Sequence, residues 1–111
     1  MPVPPIRLFL AGAALALQPL AAQADSIDGT WCAPIDGRTL RIAGADFTTP
    51  GGSRIIGLYG RHDGAYTVPA DEPGAGGQVL LRLMGEDLLQ VLEPDSLPLV
   101  WQRCRPADLS S

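Results

Sequence analysis

The chain contains no lysine and no asparagine, only one histidine and two cysteines, and aromatic residues make up 5% of its 111 positions. Each shortage removes a class of function. Without lysine, all eight basic residues are arginine, and twelve acidic residues bring the formal net charge to −4. A nucleic-acid partner needs a basic face that displaces counterions from phosphates, so that class is set aside. Two cysteines and a single histidine fall short of a four-ligand zinc set. The acidic clusters at Asp25 to Asp28 and at Asp71-Glu72 lack the alternating acids, glycine and distal glutamate of a calcium loop and read as solvated turns. Gly-x-Ser-x-Gly elbows, phosphate loops, His-Glu-x-x-His and Cys-x-x-Cys are all missing. His62 stands beside Asp63 in one tight turn, a poor direction for an orienting carboxylate, so a solvated strand end is the preferred reading. The expectation is no enzyme, no cofactor and no metal.

Long apolar runs are also missing. The longest, Leu8 to Leu17, follows Arg7, is broken at Gln18-Pro19 and ends in Ala22-Gln23-Ala24, whereas a spanning helix needs about 20 continuous apolar residues. This is the pattern of a cleaved secretory signal peptide over residues 1–24, with a retained membrane anchor as the rival. No cysteine sits at the cleavage point for lipid attachment, and a lone arginine makes no twin-arginine signal. Removal of Arg7 with the leader takes the formal charge to −5 and leaves one domain over residues 25–111, periplasmic or secreted, with no membrane span.

A domain of that size buries only about 60 to 65% of its extended-chain surface and commonly needs a staple. Cys32 and Cys104 are the only cysteines in a chain sent to an oxidising compartment, so a disulfide between them is expected. Two free thiols or a two-cysteine metal site are the alternatives.

Seven prolines and twelve glycines punctuate residues 25–111 between short alternating or apolar runs. That pattern predicts an all-β domain, a small antiparallel barrel or barrel-like sandwich of seven or eight strands. They are expected near 28–34, 38–43, 46–49, 54–61, 65–68, 78–84, 87–93 and 98–104. Asp36-Gly37 predicts a two-residue type I′ hairpin that sets Trp31 opposite Ile42 and Ala33 opposite Leu40. Trp31 and Trp101 then point inward while Cys32 and Cys104 point outward, so the disulfide would join the first and last strands at the seam of the sheet. Gly85-Glu86 predicts a type II′ turn pairing Leu83 with Leu88, Leu81 with Gln90 and Val79 with Leu92. That leaves Leu80, Arg82, Met84, Asp87, Leu89 and Val91 outside, an unusually apolar outer face that a loop or partner would cover. Asp63-Gly64 predicts a turn pairing Arg61 with Tyr66, with Ile56, Leu58 and Ala65 on the core side and Tyr59, Arg61 and Tyr66 outside.

Two tryptophans directed inward would fill so small an interior, so binding is expected at the surface. The candidate residues are Tyr59, Arg61, Tyr66 and Arg82, because tyrosine and arginine are enriched in binding hot spots. The partner would be a periplasmic protein or a small ligand. An envelope assembly or stability factor with no ligand is the alternative from a different class.

The stretch Asp28-Gly29-Thr30-Trp31 resembles the Gly-x-Trp opening of lipocalin-like barrels, including small secreted inhibitors of bacterial metalloproteases. That resemblance implies a tryptophan near the mature N-terminus closing the barrel floor and a protease-inhibitor-like barrel as a further possibility. Trp31-Cys32 taken with Trp101-x-x-Cys104 also resembles short exported proteins of high-GC Gram-negative bacteria, which implies a compartment and no activity.

Overall fold

The computed structural model describes residues 25–106, and the leader expected over residues 1–24 lies outside them. Nine strands follow in order: β1 Gly29–Cys32, β2 Thr39–Ala43, β3 Asp46–Thr48, β4 Arg54–Ile56, β5 Leu58–Tyr59, β6 Asp63–Thr67, β7 Gln78–Gly85, β8 Leu88–Leu92 and β9 Leu99–Arg103. They form one antiparallel sheet in the order β4-β3-β2-β1-β9-β8-β7-β6-β5, curled into a nearly closed barrel. Alternation puts Trp31, Leu40, Ile42, Phe47, Val79, Leu81, Leu89, Val91 and Trp101 inside, each at most 3% exposed. Side chains therefore fill the barrel.

One more strand is present than expected, because the run 54–61 is broken at Gly57. β4 and β5 are consecutive in the chain yet lie at opposite edges of the sheet. Gly57 turns the chain across that seam, and its N–H donates to the Ala45 carbonyl at 2.8 Å. A Cβ at Gly57 would stand 2.8 Å from the Phe47 ring, so only glycine lets the corner sit down on the buried phenylalanine.

The Cys32–Cys104 disulfide forms, joining residues 72 positions apart. It lies beside the β1–β9 ladder as expected, but that ladder is not the open seam. β1 and β9 pair in the middle of the sheet order and join its two meanders, β1 to β4 and β5 to β9. The unpaired edges belong to β4 and β5. A disulfide in so small a domain fits an oxidising compartment.

Each hairpin departs from its expected register in a way the side chains explain. In the first, Trp31 faces Leu40 and Cys32 faces Thr39, a shift of two residues that keeps every side chain on its expected face. The loop is Pro34 to Gly37, closed by the Ala33 N–H on the Arg38 carbonyl. Only Gly37 takes positive φ, at 72°. The Asp36 carboxylate instead accepts from the Arg38 N–H at 3.2 Å, an Asx-type turn in place of a type I′ turn.

The second hairpin slips by one residue. Leu81 faces Val91 and Arg82 faces Gln90, with an irregularity between Leu83 and Gly85 that absorbs Met84 as a bulge. A one-residue slip turns a whole strand over. Leu89 and Val91 therefore enter the core, at 0% and 2% exposure, while Leu88, Gln90 and Leu92 turn outward. Keeping Gln90 in the core would have buried an amide without partners, and the bulge removes that cost.

In the third hairpin the turn is Gly60 to Asp63, with Leu58 facing Ala65 and Tyr59 facing Gly64. Arg61 and Tyr66 do not pair. Tyr66 faces Val79, is only 6% exposed and meets Phe47 edge-on with centroids 6.0 Å apart, so it belongs to the core. Ile56 and Leu58, expected inside, are 75% and 70% exposed. The aromatic ring offers far more area to bury than Ala65 beside it, and that decides which face of β6 turns inward.

Candidate functional site

Two arginines cover the two tryptophans. At the barrel end formed by residues 25–28 and the β7–β8 turn, the Arg103 guanidinium stacks 4.4 Å from the Trp31 ring centre. Its Nη1 donates to the Asp28 carbonyl at 2.6 Å, Nη2 to the Ser26 carbonyl at 2.9 Å and Nε to the Glu86 carbonyl at 2.9 Å. Gly29 is extended at positive φ, 129°, directly against Arg103 Nη1, where a Cβ would sit 2.6 Å away. Trp31 Nε1 donates to the Ile27 carbonyl. Toward the opposite end, Arg38 lies 5.3 Å from the Trp101 ring centre and holds Glu93 through paired bonds of 2.8 and 2.9 Å. Burial, then the nearby Glu93 and Glu72 carboxylates, push the Tyr66 hydroxyl up to about 12.

The four candidate binding residues, expected on two faces with Tyr59, Arg61 and Tyr66 on one and Arg82 on the other, separate into three places. Tyr59 donates its hydroxyl to Asp28 Oδ2, and Arg61 donates to the Asp25 carbonyl and carboxylate at 2.9 and 3.1 Å. His62 Nε2 stands 3.8 Å from the same Asp25 carboxylate. Tyr59 and Arg61 hold down the segment that leads into β1. Tyr66 is in the core. Arg82 faces outward beside a groove.

That groove encloses about 520 Å³ on the outer surface of β5 to β8. Register builds its apolar wall: Leu58 faces Ala65, Ala65 faces Leu80 and Leu80 faces Leu92, one row across four strands. The next row carries Asp63, Arg82 and Gln90. Tyr59 lines the groove as well, so it contains two of the four expected residues. Leu58, Ala65 and Leu92 were missed. The signal that could have found Leu92 was the lone Gln90 on a supposedly apolar face, which marks the wrong register for β8; for Leu58 and Ala65 it was the Tyr66 ring, too large to leave outside while Ala65 goes in. Leu89 and Val91, expected on the outer face with Leu80 and Arg82, are instead beneath it in the core.

Two carboxylates are tuned by hydrogen bonds. Burial pushes Asp28 up, but donation from the Tyr59 hydroxyl, the Gly44 N–H and the Ser26 hydroxyl outweighs it and holds the carboxyl below its ordinary 3.8. At Glu72 burial is likewise outweighed, by the Thr49 hydroxyl at 2.5 Å, Ser53 and the Gly51 N–H at 3.1 Å, and the group sits below 4.5. A carboxyl lowered on folding adds stability above its unfolded pKa and loses it as pH falls through the folded one. The melting temperature should therefore drop as pH falls below the ordinary values of 4.5 and 3.8. Thermal melts across that range should be less steep in pH for Asp28→Asn and Glu72→Gln than for the wild type; equal slopes would remove these two groups from the acid transition.

No known protein family, characterised protein or solved structure matches the chain.

Proposed function

We propose that the chain is an exported, periplasmic, non-catalytic binding module whose working surface is the groove across β5 to β8. The observation that carries this reading is an apolar row with Leu58 70% and Leu80 47% exposed, bordered by Arg82. A groove of about 520 Å³ falls within the range of ordinary binding clefts, on the order of 300 to 1,000 Å³. The outward side chains of its apolar row, Leu58, Leu80 and Leu92, lie outside the buried core, whereas Arg61 makes contacts that hold the residues ahead of β1. The lipocalin-like reading of Gly29-x-Trp31 draws support from Trp31, fully buried beneath Arg103 at one end of the barrel.

Immobilised exported protein should retain a saturable partner from periplasmic extract. Leu80→Asp and Arg82→Glu should lose that partner and His62→Ala should keep it. Retention unaffected by both groove substitutions would move the working surface elsewhere.

A further inference from the structure

We propose that the occupant of this groove is a second copy of the same chain, docked about a two-fold axis, face to face across β5 to β8. This rests on the reading of the groove as the binding surface and names what fills it. The outer surface of the barrel is divided. Over β1 to β3 the outward side chains are Thr30, Cys32, Thr39, Arg41, Ala43, Asp46 and Thr48, with no large apolar residue among them. Over β5 to β9 they include Leu58, Leu80, Leu92 and Val100. A contiguous apolar face on one half alone is the mark of a covered surface.

Three features fit a second copy. The first is the further apolar surface next to the row in the chain: Ile56, two residues before Leu58, is 75% exposed, and an isologous interface, which uses one patch twice, would cover such surface on both copies. The second is charge. Asp63 and Arg82 are the ionic residues lining the groove; they face each other in register, yet no ion pair links them and neither has an ion-pair partner among the described residues. A two-fold axis brings Arg82 to the partner's Asp63 and closes both pairs, so the patch is complementary to itself. A chain of net charge −4, or −5 without the expected leader, repels its own copies, and this patch, neutral overall, is where two can approach. The third is the sheet edge. β4 and β5 have only three and two residues, too few to template an added strand, so the contact is made by side chains on the face and not by backbone extension.

Four strands at about 4.8 Å spacing and three rows along them cover on the order of 400 Å² in projection. Counted on both copies that is on the order of 800 Å², the size of weak and transient contacts, so association is expected only toward the upper end of the concentrations below. Sedimentation of the exported, oxidised protein from about 1 to 500 μM should show the mass rising from one chain to two. Leu80→Asp should remain monomeric throughout. Arg82→Asp and Asp63→Arg should each weaken association at least tenfold, and the two together should restore it to within about threefold of wild type. All three sites are exposed, and unchanged melting temperatures would exclude misfolding as the cause. A single-chain mass at every concentration, dimers indifferent to Leu80→Asp, or a double reversal no better than either single one would each overturn the proposal. A monomer that still retains another protein through Leu80 and Arg82 would overturn the dimer and spare the binding reading; a monomer that retains nothing would overturn both.

Discussion

Reducing the Cys32–Cys104 bond should lower the melting temperature by roughly 20 °C. The bond spans 72 residues. In the chain-entropy account, closing a loop of that length removes enough freedom from the unfolded chain to stabilise the fold by roughly 4 kcal/mol. A domain of this size shifts by about 4 to 8 °C for each kcal/mol. The loss is large against the 5 to 15 kcal/mol typical of a whole domain. It also strikes the join between the two meanders, where β1 and β9 share only the Trp31–Arg103 and Cys32–Gln102 register pairs. Trp31 and Trp101 are 0% and 1% exposed and lie on those two strands, so their emission should stay blue in the oxidised protein. In mild denaturant, reduced protein should move red at far lower concentrations. Reductant-indifferent melting would mean that the ladder holds without its staple.

The second large effect is expected at Arg103. Arg103→Ala removes the charge-assisted bonds to Ser26, Asp28 and Glu86 and uncovers the face of Trp31. Hydrogen bonds to charged groups contribute about 1.5 to 3 kcal/mol each, and a stacked cation about 0.5 to 2. The side chain is partly exposed, so water replaces some of this, and a net loss of about 3 kcal/mol is expected. Arg103→Lys should recover less than half, because an ammonium cannot fork to separate carbonyls while stacking on an indole. Chemical denaturation of the three proteins measures both. A lysine variant as stable as wild type would reduce Arg103 to a simple positive charge.

How much of this was legible in the sequence depends on parity. The buried tryptophans, the disulfide and the all-β barrel followed from alternation and compartment, and survived a two-residue error in the first hairpin because an even shift preserves faces. The second hairpin failed because a bulge at Met84 makes the shift odd. Nothing in the turn sequence announces that bulge, but Gln90 among leucines does. At the third hairpin the glycines misled. Gly64 looked like a turn residue, yet it lies inside β6, where an added Cβ would meet the Leu58 carbonyl at 2.9 Å and Ile27 at 3.0 Å. The candidate site was half legible for the same reason. Arg82 is on β7, whose face was assigned correctly, and it borders the groove. Tyr66 is on β6, whose face was inverted, and it is in the core. The contacts of Tyr59 and Arg61 with Asp28 and Asp25 join residues more than thirty positions apart, and no local pattern encodes them.

The groove as working surface is most directly tested by a photo-cross-linking amino acid placed at Leu92, with Arg41 on the polar half of the barrel as the control position, in the intact exporting cell. A discrete adduct is expected at position 92, lost when Leu80→Asp is added, and none at position 41. Equal labelling at the two positions, or labelling at position 41 alone, would contradict it.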